Sequence, residues 1–166
     1  HGTGIAANVL AIAPECDFHH VKDDDDPLAA MVLARSLNPS IITCSWGWSE
    51  GYVHDVFTNS PASGAAEYLH DLETEILAAI GDGITVLFAS GNGPEPGSWP
   101  SSVPGVICVG GAFVSESLEL SASSYATSFV SQITQGRVCP DVCGLVGPAP
   151  YGLLFALPTQ PGNELD

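Results

Sequence analysis

Positively charged side chains are scarce in this sequence. Only three of its 166 residues are lysine or arginine, against 19 aspartates and glutamates, which gives a formal net charge of −16 at pH 7. A surface of that sign repels the phosphates of nucleic acids and the headgroups of anionic membranes. We therefore expect neither a nucleic acid nor a membrane as a partner. The charge favours solubility and is compatible with an extracellular or high-salt setting.

Long apolar runs are lacking as well. No stretch approaches the roughly 20 residues that a transmembrane helix needs, and no signal-peptide pattern precedes His1. Because the sequence begins without a methionine, we interpret it as a mature product or a fragment. Its 166 residues, 45% of them apolar, are enough for one domain with a sizeable core.

The five cysteines are odd in number, and the sequence has no second Cys or His pair at zinc spacing, which disfavours a bound metal. Cys44 and Cys108 fall in predicted strands, where we expect them to be small buried hydrophobic residues. Cys139 and Cys143 stand four positions apart in a predicted loop, where they could form a disulfide or hold a metal. His19 and His20 are neighbours on a predicted strand and would point to opposite faces, which disfavours a shared ion.

Short apolar runs rich in β-branched residues predict strands. Three of them, residues 41–45, 84–89 and 106–110, predict buried strands. A weakly alternating segment, residues 16–21, predicts a fourth strand. Small residues predict a helix at residues 5–11, and helical spacing of apolar residues predicts two more, at residues 27–37 and 64–80. This succession is typical of an α/β fold, a parallel sheet with helices on both faces.

Two stretches between these elements have a different character. The acidic run from Asp23 to Asp26 suits the start of a helix, with Asp26 as N-cap and Pro27 in the first turn, although calcium binding stays open. Residues 49–63 are rich in loop formers and predict a surface loop.

Polar turns follow two of the predicted strands. Ser45-Trp46-Gly47 follows one, and Ser90-Gly91-Asn92-Gly93 follows the next. Ligands of open α/β sheets bind at the carboxyl ends of the strands. The second turn therefore brings the amide of Asn92 into the expected site, in a position to stabilise an anion.

Five blocks of sequence, in this order, resemble the subtilisin-like serine peptidases, the subtilases. They are His1-Gly2-Thr3 followed by Ala13-Pro14, then Ile42-Thr43-Cys44-Ser45-Trp46-Gly47, Ala89-Ser90-Gly91-Asn92-Gly93, Trp99-Pro100 leading to Val106-Ile107-Cys108-Val109-Gly110, and Arg137-Val138-Cys139-Pro140-Asp141-Val142. The resemblance runs along nearly the whole chain. It implies a single partial catalytic domain over residues 1–166, with a three-layer architecture that lacks its first strand and its final helices.

The resemblance also implies roles for particular residues. His1 matches the general base, and Asn92 matches the side-chain donor of the oxyanion hole. Residues 45–47 match a strand edge that pairs with a peptide substrate, and residues 89–91 match the wall of the pocket for the side chain before the scissile bond. Trp46 suggests a preference for bulky or apolar side chains.

The catalytic triad of the family is incomplete in these residues. Its aspartate would precede His1, and its serine nucleophile would follow Asp166. We therefore expect the 166-residue chain alone not to hydrolyse peptides, and to be marginally stable or prone to aggregate. The resemblance implies a secreted endopeptidase acting on peptides or proteins, without a required cofactor apart from the open possibility of calcium.

Two other functions stay open. The first is a pseudopeptidase that binds peptides or partners without cleavage. The second is a nucleotide-binding domain that uses the glycines around Asn92 as a phosphate cradle. The second is disfavoured because Pro94, Pro96 and Pro100 resist the helix whose N-terminus would hold the phosphate.

Overall fold

A computed structural model describes residues 2–23, 25–93 and 97–147. Contacts group the chain into two compact units, His1–His20 with Gly147–Asp166, and Val21–Val146. In the described part of the first unit, helix α1 (Gly2–Ile12) confirms the helix predicted over residues 5–11. None of the described helices is both long and apolar enough to span a membrane.

The strand predicted over residues 16–21 is wrong. A turn follows α1, in which the N–H of Cys16 donates to the carbonyl of Ala13 at 3.2 Å, and the segment after it forms no β-ladder. Only Phe18 and Val21 are even half-buried in this segment. Strand pairing is stabilised chiefly by packing of side chains against neighbours, and this weakly alternating segment packs too few of them.

Three helices belong to the second unit: α2 (Pro27–Ser36), α3 (Glu50–Asn59) and α4 (Gly64–Gly81). The start of α2 is as predicted, since Pro27 opens the helix and Oδ1 of Asp26 accepts a hydrogen bond from the N–H of Ala29 at 3.1 Å. Ser63 caps α4 in the same way, accepting from the N–H of Ala66 at 3.2 Å. Both predicted helices are therefore confirmed.

Helix α3 corrects the surface loop predicted over residues 49–63. Val53, Val56 and Phe57 recur at helical spacing and pack into the core. They give the segment the apolar face of an amphipathic helix. The glycine, serine and asparagine residues around this face concealed it in the sequence.

The described residues form nine strands: β1 (Ile41–Cys44), β2 (Trp48–Ser49), β3 (Thr85–Ala89), β4 (Ser98–Trp99), β5 (Ile107–Val114), β6 (Leu120–Ala122), β7 (Phe129–Val130), β8 (Val138–Cys139) and β9 (Val142–Leu145). The main sheet has the order β1-β3-β5-β6, with β9 also paired to β5. All of its pairs are parallel except β5 with β6. Two small antiparallel pairs, β2 with β4 and β7 with β8, complete the strands. The predicted α/β fold is thus confirmed, with β1, β3 and β5 at the three apolar runs.

The core of the second unit lies between this sheet and its helices. Val86 and Phe88 of β3 are buried against Leu72 and Ile76 of α4 and their neighbours. Leu87, which faces the other side of the sheet, is half-buried. Alternation along β3 therefore sets which residues reach the core, and it leaves the end of the strand free to lead into a turn.

Candidate functional site

The two polar turns predicted from the sequence leave the same edge of the sheet. β1 and β3 are parallel, and Cys44 at the end of β1 lies opposite Phe88 in β3. The residues that follow, 45–47 and 90–93, therefore start side by side at the carboxyl ends of adjacent strands. Ser45 and Gly47 are exposed, and Ala89 is half-buried.

The turn that carries Asn92 is fixed first by the sheet. Ser90 is buried, and its N–H donates to the carbonyl of Val109 in β5 at 2.9 Å. Gly91 then takes a φ of +100°, in the left-handed region that favours glycine. Asn92 itself is exposed.

A second segment holds this turn from outside the sheet. Asn92 forms an isolated antiparallel bridge with Ala126. On either side of the bridge, the N–H of Thr127 donates to the Gly91 carbonyl at 3.1 Å, and the N–H of Gly93 donates to the Tyr125 carbonyl at 2.7 Å. The Thr127 hydroxyl adds a bond to the Gly93 carbonyl at 2.9 Å. An exposed amide thus stands on an anchored backbone, which suits a donor that must be in place before charge develops.

Residues 125–127 are neighbours of the Asn92 turn that the sequence analysis did not predict. The described chain on either side of them has little regular structure beyond the short strands β6 and β7. The pairing of this stretch with the Asn92 turn joins residues more than 30 positions apart, as the Thr127 to Gly93 bond shows. No local pattern could have indicated it.

Aromatic side chains support the other turn. The ring of Trp46 lies 5.0 Å from that of Phe88 at 90° and 5.9 Å from that of Trp48. Trp48 is paired with Trp99 across β2 and β4, with ring centroids 5.9 Å apart. All three tryptophans of the chain therefore belong to this group, the tryptophan cluster. Trp46 is half-buried, so part of its surface is available to a ligand.

Gly47 lies too close to the neighbouring strand for any other residue. A Cβ at this position would lie 2.6 Å from the carbonyl oxygen of Trp99 and 2.5 Å from Oγ of Ser98. The backbone of residues 45–47 is therefore held against β4 on one side. Because the residue is nevertheless exposed, its backbone is accessible from another side.

Neither Cys44, which ends β1 at this edge, nor Cys139 is an activated nucleophile. All five are free, so Cys139 and Cys143 are not joined. Burial raises the pKa of the Cys44 thiol to about 12, and burial together with the neighbouring Cys108 raises the pKa of Cys139 to about 12. Both thiols stay protonated near neutral pH, and a protonated thiol is a poor nucleophile. Cys108 is buried as predicted, whereas Cys44 is half-buried.

His1, the predicted general base, lies outside the described residues. Among residues 2–23, 25–93 and 97–147, no three histidine, cysteine, aspartate or glutamate side chains come together as a metal site. Asp24 of the acidic run is not described either, so calcium binding by that run stays untested. The nucleotide alternative loses support, because described residues 97–106 after the glycine turn form a strand and turns rather than a helix.

Comparison with known proteins gives likeness of fold only. No family model and no curated protein matches the sequence. One similar solved structure is Pseudomonas sedolisin, a serine-carboxyl proteinase complexed with pseudo-iodotyrostatin, with a TM-score of 0.49, 20% identity, and coverage of 72% of this chain and 43% of that chain. Sphericase gives a TM-score of 0.46 at 20% identity, covering 65% of this chain and 33% of its own.

A third similar structure is the S41 Psychrophilic Protease, with a TM-score of 0.41, 18% identity, and coverage of 68% of this chain and 33% of that chain. The chain spans less than half the length of each of these three proteins.

Proposed function

We propose that this chain is the central part of the catalytic domain of a subtilisin-like serine endopeptidase, and that it contributes the peptide-binding edge and the oxyanion donor. The observation that supports this proposal most is the pairing of β1 with β3, which leads residues 45–47 and 90–93 off the same edge of the sheet. An exposed amide on an anchored turn stands beside an accessible backbone segment. The five sequence blocks that resemble the subtilases include both of these turns.

Each part has a role in the proposed reaction. An extended peptide pairs its backbone with residues 45–47, as a strand added to an edge. Residues 89–91 face the side chain before the scissile bond. The amide of Asn92 donates to the scissile carbonyl oxygen as that oxygen gains negative charge. His1 takes the proton of a serine that another part of the parent protein supplies, and returns it to the leaving amine.

The proposal sets what the 166 residues can do alone. The polypeptide binds extended peptides but does not cleave them. No motif in its 166 residues supplies the serine and the aspartate that must act with His1. The substrate is a peptide or protein, no cofactor takes part in the chemistry, and the parent acts outside the cell.

Peptide binding is the first test. The purified 166-residue polypeptide is titrated with an unstructured peptide of mixed sequence, and binding is followed by tryptophan emission, because all three tryptophans lie in the tryptophan cluster. Mass spectrometry of the same samples detects cleavage. We expect saturable binding without cleavage, and loss of binding in Gly47→Ala, whose Cβ would push β4 from the edge. Absence of saturable binding contradicts the proposal, and so does cleavage that His1→Ala abolishes.

The parent protein provides the second test. In the parent protein, Asn92→Ala is expected to lower kcat by a factor of about 10²–10³ with little change in KM. This factor is the one found for the oxyanion-hole asparagine of subtilisin. A parent that binds peptides through this edge and shows no hydrolysis would establish the alternative, a peptide-binding pseudopeptidase.

A further inference from the structure

Glu50 is a fully buried acidic residue close to the proposed peptide-binding edge. It is the first residue of α3, and its exposed fraction is 0%. A buried carboxylate is costly unless hydrogen bonds replace its water. One oxygen accepts from the N–H of Gln132 at 2.9 Å, and the other accepts from the hydroxyl of Ser131. Its place in the first turn of a helix favours the negative charge further.

Ser131 is arranged to make this contact. Its hydroxyl oxygen accepts from the N–H of Thr134 at 2.8 Å and from the N–H of Ile133 at 3.2 Å. With both lone pairs engaged, the hydroxyl proton is left for the carboxylate of Glu50. The turn at residues 131–134 is thus wrapped around this one acidic side chain.

The backbone of Glu50 is tied to a different segment. Its N–H donates to the carbonyl of Gly97 at 3.3 Å. The two residues before it form β2, which pairs with β4 directly after Gly97. Gly97 has a φ of +64° and lies against the ring of Phe129. Glu50 therefore joins three stretches, residues 45–50, 97–99 and 131–134.

We propose that Glu50 is a positioning residue for the peptide-binding edge at residues 45–47. The inference rests on the proposed function, since it assumes that this edge pairs with peptide. Only β2 separates Glu50 from the edge, and β2 is a two-residue strand whose order depends on β4 and on the start of α3. If the carboxylate loses its partners, the edge becomes mobile, and a peptide must then order it on binding.

Three variants separate positioning from simple stabilisation. Glu50→Ala removes both hydrogen bonds. Glu50→Gln keeps an oxygen for Gln132, but its amide hydrogens face the hydroxyl of Ser131, whose lone pairs are taken. Ser131→Ala removes the hydroxyl alone. The matched control is Ser63→Ala, which deletes a comparable hydroxyl from the N-terminus of α4, away from the edge.

The readouts are tryptophan emission with acrylamide quenching, thermal melting, and affinity for the mixed-sequence peptide. Trp48 and Trp99 face each other across β2 and β4, so their emission reports on the edge in the folded protein. We expect red-shifted, more quenchable emission in Glu50→Ala and Ser131→Ala, a smaller change in Glu50→Gln, and none in Ser63→Ala. Peptide affinity is expected to fall about tenfold in Glu50→Ala, because the peptide must then order the edge, at a cost comparable to immobilising one or two side chains.

Each result decides one of the two proposals. If Glu50→Ala and Ser63→Ala lower the melting temperature by the same amount and neither changes tryptophan emission or peptide affinity, Glu50 only stabilises the fold. The inference is then overturned. If Glu50→Ala does not fold, Glu50→Gln and Ser131→Ala decide in its place. If the unsubstituted chain binds no peptide, the proposed function fails, and emission and quenching alone decide whether Glu50 orders the edge.

Discussion

An ion pair between Arg137 and Asp141 fastens the last described strands to the centre of the sheet. Nη1 and Nη2 of Arg137 donate to the two carboxylate oxygens of Asp141, each at 2.6 Å. Asp141 also accepts from the N–H of Cys108 in β5 at 2.7 Å, and its own N–H donates to the Cys108 carbonyl at 2.9 Å. Nη2 of Arg137 also donates to the Val106 carbonyl at 2.8 Å. Replacing the charge of Asp141 should therefore loosen β8 and β9 from β5.

The size of the effect follows from the exposure of the pair. The side chains of Arg137 and Asp141 are 19% and 32% exposed, so solvent screens part of their attraction. Hydrogen bonds to charged groups contribute about 1.5–3 kcal/mol when buried, and exposed ion pairs contribute about 0.2–1 kcal/mol. We expect Asp141→Asn to cost about 2 kcal/mol at pH 7. In a chain of this length that lowers the melting temperature by about 4–8 °C.

The loss should depend on pH in a definite direction. The hydrogen bonds from Arg137 hold the pKa of Asp141 below its ordinary value. A carboxyl group with a lowered pKa in the folded state stabilises that state above its unfolded pKa of about 4, and this contribution is lost as the pH falls through the folded pKa. Thermal melts of the two proteins should therefore differ most at neutral pH and converge in acid.

The control for this series is Asp82→Asn. Asp82 accepts from Nε of Arg35 at 2.7 Å, but its side chain is 50% exposed, so its substitution should change the melting temperature much less. Circular dichroism melts of the unsubstituted chain and both variants, from pH 7 down to acid, give the melting temperatures to be compared. A difference between Asp141→Asn and the unsubstituted chain that is the same at every pH would refute the electrostatic reasoning.

Two further substitutions test packing. Gly97→Ala should lower the melting temperature, because its φ of +64° strains any other residue and its Cβ would overlap the ring of Phe129; an unchanged melt would contradict this. Leu145→Lys should reduce the light scattering of concentrated samples and leave the melting temperature unchanged, because the apolar side chain of Leu145 is 75% exposed on β9. Unchanged scattering would count against aggregation through this strand.

The parts of the fold that the sequence predicted are those with a strong local signal. β1, β3 and β5 are apolar runs bounded by polar or glycine turns, and α2 begins at an acidic cap followed by Pro27. Helix α3 was missed because its apolar face is short and lies among residues that favour loops. The strand predicted over residues 16–21 was wrong because alternation alone supplies no partner to pair with.

The same contrast holds for the candidate site. The turns at residues 45–47 and 90–93 could be predicted, because parallel strands bring their carboxyl ends to one edge. The contacts that fix those turns could not. Thr127 meets Gly93, and Ser131 meets Glu50, across long separations in sequence that no periodicity encodes.

Both halves of the candidate site are held from one stretch of chain that has little regular structure. Thr127 anchors the turn that carries Asn92, and Ser131 anchors the helix start beside residues 45–47. A hydrogen-bond donor or a binding edge contributes most when its geometry exists before the ligand arrives, because binding then does not have to order that part of the chain. Residues 125–134 therefore matter through what they hold in place. Substitutions at Thr127 and at Ser131 would loosen different halves of the site, so their effects on peptide binding would indicate which half limits it.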